Sequence, residues 1–247
     1  MGPSIKADAI IVSAGKGLRF GGGHKKQFLS LAGRPVLAYS LDPFEASPLI
    51  RSIVLVVEAE DIDFCTREIV QKQGYRKVSQ VIAGGRTRQD SVKNGIEAAS
   101  READLLLIHD GVRPFVTKEM IESAIAGALQ FEAVVFAVPV KDTVKVVDSE
   151  GTILRTLERS SLYQVQTPQI FRASLIREAY QRAASEGFLG TDDASLVERM
   201  GVKVHILPGS YQNIKLTTPE DFEFARFLVE GKKTDRIGIA PSQEEKG

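Results

Sequence analysis

The sequence predicts an α/β fold: a mostly parallel sheet covered by helices on both faces, with a β-hairpin inserted late in the chain. Three observations carry this. Short apolar runs rich in β-branched residues alternate with helical-period segments five times between Ala9 and Val138. The runs are apolar at successive rather than alternate positions, the pattern of strands buried on both faces. The composition is also aliphatic: 43% of the 247 residues are hydrophobic, yet only 7% are aromatic and none is Trp. Helices packed on a sheet use that mixture, and the length suffices for one large core.

Ala9 to Val12 reads as the first strand, emptying into a glycine-rich loop. Arg34-Pro35 starts a helix to about Phe44, with Pro at the tolerated first position. Ser52 to Val57 is the second strand, and a helix from about Glu60 to Gln73 follows. Cys65 sits at helical spacing between Ile62 and Ile69, so it reads as a buried small hydrophobe. As the only cysteine it excludes an internal disulfide and a cysteine-based metal site. Lys77 to Ile82 is the third strand, broken by Gly84-Gly85, and Val92, Ile96 and Ala99 mark the next helix. Leu105 to Ile108 is the fourth strand. Thr117 caps a helix that turns Met120, Ile121, Ala124, Ile125 and Ala128 inward, and Ala133 to Val138 is the fifth strand.

At Pro139 the pattern changes. Asp142 to Val147 and Thr152 to Leu157 flank the turn Asp148-Ser149-Glu150-Gly151, which predicts a hairpin arm at about 140–160. A lone two-stranded hairpin is marginal in water. It is therefore expected to pack on something, a partner subunit or its own domain. Helices follow at about Arg172 to Glu186 and Ala194 to Met200, then a strand at Lys203 to Leu207. The last helix starts at Thr218-Pro219-Glu220-Asp221, with a cap, a first-position Pro and a first-turn acid. From Gly231 the chain is polar and aperiodic. Residues 1–230 read as a single domain and 231–247 as a tail.

The 32 basic and 32 acidic residues cancel, which argues against a nucleic-acid or membrane surface. The apolar runs are too short to span a bilayer and the N-terminus lacks a signal pattern, so a soluble, cytoplasmic protein is expected.

Local charge carries the chemistry. Gly15, Gly17, Gly21, Gly22 and Gly23 interleave with Lys16, Arg19, Lys25 and Lys26, with no acid between Ala14 and Lys26. Backbone N–H groups and cations can converge on phosphate there. Gly15-Lys16 is followed by Gly17, not by the Ser or Thr of a Walker A loop, and the third glycine of a dinucleotide fingerprint is missing. Gly84-Gly85 to Ser91 lies between strand and helix, where amides and a hydroxyl could meet a base or an anion; a plain turn is the alternative. Asp110 ends an apolar strand, a place for a carboxylate that holds a metal-bound phosphate or a ribose, and Arg113 follows three residues on. His109 reads as a structural histidine. Lys215 stands between Ile214 and Leu216, so alternation sends it to the opposite face, toward a cleft.

The Gly-x-Gly-x-Arg loop with Lys26 seven residues after Arg19 resembles the signature loop of nucleotidyltransferases. Followed by GGRTRQDSV, HDGVRPF, VKDTVK, TPQIF, TDDASLVE and NIKLTTPED, it is similar to the 2-C-methyl-D-erythritol 4-phosphate cytidylyltransferase family from about Ala7 to Phe227. The resemblance implies a Rossmann-like nucleotidyltransferase fold and metal-dependent transfer of CMP from CTP to a sugar-alcohol phosphate in the non-mevalonate isoprenoid route. Mg²⁺ or another divalent cation is implied, held mostly by the CTP phosphates with Asp110. Arg19 and Lys26 match the residues that stabilise the transition state. Ala14, Gly15, Gly85 and Ser91 match the cytosine site, and Asp110 and Gly111 the ribose and metal region. Arg113, Asp142, Thr143, Arg159, Thr167 and Lys215 match the methylerythritol phosphate pocket, with Arg159 and Lys215 also assigned to catalysis. The resemblance further implies a homodimer whose arm carries Arg159 into the neighbour's site. The family's Pro and Tyr around the loop lysine are Lys25 and Phe28 here; Lys26 is kept because it precedes Gln27. The rival readings are a ribitol 5-phosphate cytidylyltransferase and a non-catalytic nucleotide-sugar binding module; a dinucleotide-dependent oxidoreductase is disfavoured by the missing fingerprint.

Overall fold

The computed structural model describes residues 5–15 and 25–233. Strands β1 (Ala7–Val12), β2 (Ile50–Val57), β3 (Val78–Ala83), β4 (Leu105–Asp110) and β5 (Ala133–Pro139) form where the apolar runs predict them. β6 (Lys145–Val147) and β7 (Ile153–Thr156) pair only with each other, and β8 (Tyr163–Arg172) and β9 (His205–Pro208) complete the set. The central sheet has seven strands in the order β9-β5-β8-β4-β1-β2-β3. Six run parallel, and β8 alone is antiparallel to its neighbours β4 and β5.

Helices cover both faces, because successive residues of each strand point to opposite sides. Ile11, Leu55 and Leu107 pack on α1 (Val36–Ala46) and α4 (Lys118–Phe131), whereas Ile10, Val54 and Ile108 pack on α3 (Arg88–Ala98) and α5 (Ala173–Glu186). Short helices α2 (Ile62–Phe64) and α6 (Asp193–Arg199) join opposite layers. Helix α7 (Pro219–Lys233) lays Ala225 against Leu31, Val112 and Leu216 in a third, smaller cluster. Phe44, Phe136 and Phe171 are fully buried, each contributing roughly 1.5–3 kcal/mol over exposure. The arm contributes little of this kind: Val147, Ile153 and Leu154 are 50–62% exposed.

Several expectations are corrected. Pro35 is the residue before α1, not its first helical position, because Arg34–Pro35 pairs with Ser30–Leu31 in a two-residue ladder. The expected helix over 60–73 is one turn, α2, running into a π-helical stretch, Cys65–Gln71, that still buries Cys65. β3 is not apolar on both faces: it lies at the sheet edge and leaves Ser79 and Gln80 exposed. β8 went unseen in the sequence, because Pro168 and the polar Gln166, Thr167 and Gln169 disguise a central strand. The ladder to β5 shifts register across Gln166 and Gln169, which spares Pro168 from donating. Helix α7 continues past Gly231, the first residue assigned to the tail.

The Thr117 cap holds, accepting from the Met120 N–H at 3.2 Å. At α7, Asp221 accepts the Thr218 N–H at 2.8 Å and returns its own N–H to the Thr218 hydroxyl at 3.4 Å. Parallel register aligns Val12 with Val56 and Asp110, and Val57 with Ala83. Everything that follows these residues therefore emerges along one carboxyl edge.

Candidate active site

Along that edge lies a cleft of about 900 Å³, whose walls include Ala14, Gly15, Lys26, Gly84, Gly85, Arg88, Ser91, Asp110 and Lys215. The wall after β3 is built by close approach. A Cβ on Gly84 would stand 2.4 Å from the Ala14 Cβ and 2.7 Å from the Ser91 Oγ, and one on Gly85 2.3 Å from the Asp90 Cβ. Helix α3 starts in a capping box: Thr87 accepts the Asp90 N–H at 3.0 Å while Asp90 accepts the Thr87 N–H at 3.1 Å. Ser91 donates to the Thr87 carbonyl at 2.9 Å and accepts the Gly85 N–H at 3.0 Å. Thr87 therefore caps the helix, and Ser91 shapes the glycine turn. Gly85→Ala is expected to lose about 1–3 kcal/mol in urea unfolding, since the new methyl has nowhere to go without moving the cap. Unchanged stability would show that the turn gives way.

The far wall centres on Asp110, 6% exposed. Its Oδ2 meets the Lys215 ammonium at 2.7 Å and lies 3.8 Å from the Arg113 Nε; its Oδ1 accepts from the Arg88 Nε at 3.1 Å. Burial alone would raise its pKa, but Arg88, Lys215 and Arg113 together hold it far below the ordinary carboxylate range. The backbone N–H of Asp110 donates to the Thr167 hydroxyl at 3.0 Å, and that hydroxyl also meets His109 Nδ1 at 3.1 Å. Burial pushes His109 down to about 4, so it stays neutral near pH 7 and supports the wall without carrying charge.

Lys215 reaches the cleft as alternation predicts, with Leu216 fully buried and its N–H on the Val112 carbonyl at 2.9 Å. Asn213, also fully buried, donates to the Thr167 carbonyl at 2.9 Å and accepts from Arg113 Nη1 at 2.8 Å. The Arg113 Nε has no hydrogen-bond partner although it is buried, an unsatisfied donor beside a carboxylate.

The two loop lysines part. Lys25 binds Glu60 and, at 2.7 Å, Asp61, whereas Lys26 lines the cleft. Gln27 anchors the returning chain by donating to the Ser13 carbonyl at 2.9 Å. Gly111, Arg113 and Thr167 stand behind Asp110 and are not among the lining residues. Asp142, Thr143 and Arg159 lie exposed in the arm, also outside the lining, with Arg159 donating to the Lys141 carbonyl at 2.7 Å. Arg19 and the loop glycines from Gly17 to Gly23 lie outside the described residues.

Sequence reasoning assigned no role to Arg88 or Asp193. Both stand in quoted motifs, but 105 positions separate them, and Arg88 joins Asp193 by two hydrogen bonds of 3.1 and 2.8 Å. The available signal was the second acid of Thr191-Asp192-Asp193, one more than the N-cap Asp192 needs. Among the described residues no three His, Cys, Asp or Glu gather into a metal cluster, and no helix is long and apolar enough to cross a membrane.

Residues 7–231 match the family model described as 2-C-methyl-D-erythritol 4-phosphate cytidylyltransferase, IspD. The chain is 48% identical over 227 residues to the protein of that name from Geobacter metallireducens, covering 91% of this chain and 97% of that one. It is 44% identical over 225 residues to the one from Caldanaerobacter subterraneus subsp. tengcongensis, covering 91% and 99%. Among solved structures, 4-diphosphocytidyl-2C-methyl-D-erythritol synthase from Anaerococcus prevotii superposes with a TM-score of 0.81 at 34% identity, covering 92% of this chain and all of that one.

Proposed function

Because the chain belongs to the 2-C-methyl-D-erythritol 4-phosphate cytidylyltransferase family, we propose that the cleft at the carboxyl edge runs the family's reaction with Arg19, Lys26 and Lys215 as its working cations. The protein is a nucleotidyltransferase that moves CMP from CTP to 2-C-methyl-D-erythritol 4-phosphate, in isoprenoid precursor biosynthesis. An oxygen of the substrate phosphate attacks the α-phosphorus of CTP, the bond from that phosphorus to the bridging oxygen breaks, and pyrophosphate leaves. The attacking phosphate is already ionised near neutral pH, its second pKa being about 6, so no side chain needs to remove a proton. A neutral, buried His109 is consistent with that.

What the chain must supply is charge and position, since nucleophile, triphosphate and transition state are all anionic. The observation that carries the reading is the Asp110 cluster. Arg88, Arg113 and Lys215 set three cations against the two carboxylates Asp110 and Asp193, which leaves the wall positive beside the lining Lys26. Ala14, Gly15, Gly85 and Ser91 form the nucleotide side, where backbone approaches closely enough to read a flat base. Asp110 takes the ribose and Lys215 the phosphate of the sugar-alcohol substrate, with Gly111 and Arg113 backing Asp110 from behind the wall.

Mg²⁺ is assigned mostly to the substrate's phosphates, with Asp110 as the protein oxygen at the cleft wall, where Lys215 at 2.7 Å and Arg88 at 3.1 Å hold its two oxygens in this structure. Asp110 would hold it, and the ion would offset triphosphate charge. Asp142, Thr143 and Arg159 are assigned to the methylerythritol phosphate pocket of a partner subunit, which makes the working form a homodimer joined through the arms. The exposed apolar residues Ile153 and Leu154 support that assembly. The lone, buried Cys65 suits the reducing cytoplasm in which we place the protein.

Pyrophosphate release with Mg²⁺ and CTP, offering methylerythritol phosphate and ribitol 5-phosphate in parallel, tests the reading. Release with the first alone is expected, as the names of the relatives favour. Preference for ribitol phosphate would move the reaction to another substrate, and no release with either would favour the binding module.

A further inference from the structure

The motif Thr191-Asp192-Asp193 has no part in the reaction as described, yet its second acid is among the most buried charges in the protein. Asp193 is 1% exposed at the first position of α6. Its Oδ1 accepts from Arg88 Nη1 at 3.1 Å and from the Tyr180 hydroxyl at 2.5 Å, and its Oδ2 accepts from Arg88 Nη2 at 2.8 Å. Both outer nitrogens of the Arg88 guanidinium are therefore fixed, and its remaining Nε points to Asp110 at 3.1 Å. A planar guanidinium held at two corners has no freedom to place the third elsewhere.

The surroundings hold Asp193 just as firmly. Gln169 of β8 donates to Asp192 Oδ2 at 2.8 Å and accepts the Ala194 N–H at 3.0 Å, tying the α6 start to the strand that also carries Thr167. Gln89, beside Arg88, donates to the Phe188 carbonyl at 3.0 Å and accepts the Gly190 N–H at 2.9 Å. Two segments far apart in sequence are thus locked together around one ion pair.

We propose that Asp193 is a positioning residue for the transfer reaction: it holds Arg88 so that Arg88 fixes Asp110, which in turn sets the place of Lys215 at the reacting phosphates. A pair serving stability alone would need only its charges. Here the fork is shared between two carboxylates, one in the cleft wall and one behind it, and no ammonium could span both. Asp193 touches neither substrate; its influence passes entirely through Arg88.

The inference rests on the cytidylyltransferase reading, and the assay separates the two. Wild-type enzyme that releases no pyrophosphate from CTP and methylerythritol phosphate would sink the reading, whereas active wild type with normal variants would sink the inference alone. Asp193→Asn, Arg88→Lys and their double variant are compared by kcat per folded enzyme and by KM for CTP. We expect Asp193→Asn to lower kcat about tenfold or more while KM moves less, because misplaced groups weaken the transition state more than ground-state binding. Arg88→Lys keeps the charge and is expected not to rescue. The double variant is expected to lose no more than the worse single variant, the signature of residues acting through one another. Wild-type kcat in folded Asp193→Asn, or losses that multiply in the double variant, would overturn the proposal. Removing half of a buried pair is destabilising; should Asp193→Asn not fold, Tyr180→Phe decides, since it removes one hydroxyl from Asp193 and leaves the charges intact. A fall in kcat of about threefold or more with unchanged KM supports the chain of contacts, and wild-type kcat overturns it.

Discussion

Lys215→Ala is expected to lower turnover by about 10²-fold or more at saturating CTP and methylerythritol phosphate, the usual cost of removing one donor aimed at a developing charge. The side chain is well placed for that effect, with its ammonium 2.7 Å from Asp110 Oδ2 and about a third of the side chain still open to the cleft. Asp110 would keep Arg88 and Arg113, so the folded state should survive the change and the loss should fall on kcat. The measurement is pyrophosphate release beside a thermal melt. Wild-type turnover in a variant that melts normally would take Lys215 out of the reaction.

Arg159→Ala is expected to be nearly as damaging, and an equal mixture of Arg159→Ala and Lys215→Ala subunits should regain about a quarter of wild-type activity after exchange. If each site combines Lys215 of one subunit with Arg159 of the other, a mixed dimer has one doubly defective site and one intact site, and random pairing makes half of the dimers mixed. If Arg159 serves its own subunit, no mixture recovers. Arg159 is exposed, donates through Nη1 to the Lys141 carbonyl and is absent from the cleft lining, a placement that fits the trans arrangement implied by the family resemblance. Size-exclusion chromatography of the wild type checks the premise, for a monomer that is fully active would end this line of argument.

Most of the sheet was legible because burial on both faces writes a continuous apolar run, as in Leu105 to Ile108. What periodicity could not show was burial of polar residues. Gln166, Thr167 and Gln169 are each under 8% exposed because every one of them finds partners: Gln166 donates to the Ser210 carbonyl at 2.8 Å, Thr167 takes the Asp110 N–H, and Gln169 braces α6. Hydropathy scores such residues as surface, so a ten-residue central strand shows in the sequence only as the motif TPQIF, with no strand read there. The site was legible in another way. Asp110 was found by its place at the end of an apolar strand, and Lys215 by the residues on either side of it, both local signals. The Arg88–Asp193 pair leaves one faint local trace, the second acid of Thr191-Asp192-Asp193, and nothing that names its partner. It exists only once α3 and α6 are laid on the same face, and that packing is a property of the folded chain.

The reversed direction of β8 has a consequence for where the arm can stand. A parallel strand after β5 would have required the chain to cross back to the amino edge, carrying any insertion to the bottom of the sheet. Because β8 runs the other way, the chain leaves at Pro139 and returns at Tyr163 directly opposite, and the Val140 N–H closes the base on the Leu162 carbonyl at 3.0 Å. The insertion is thus rooted on the same rim as Asp110 and Gly85. A single change of strand polarity makes a surface appendage a neighbour of the chemistry, so that growth or loss of the appendage alters what surrounds the cleft while the sheet beneath keeps its register.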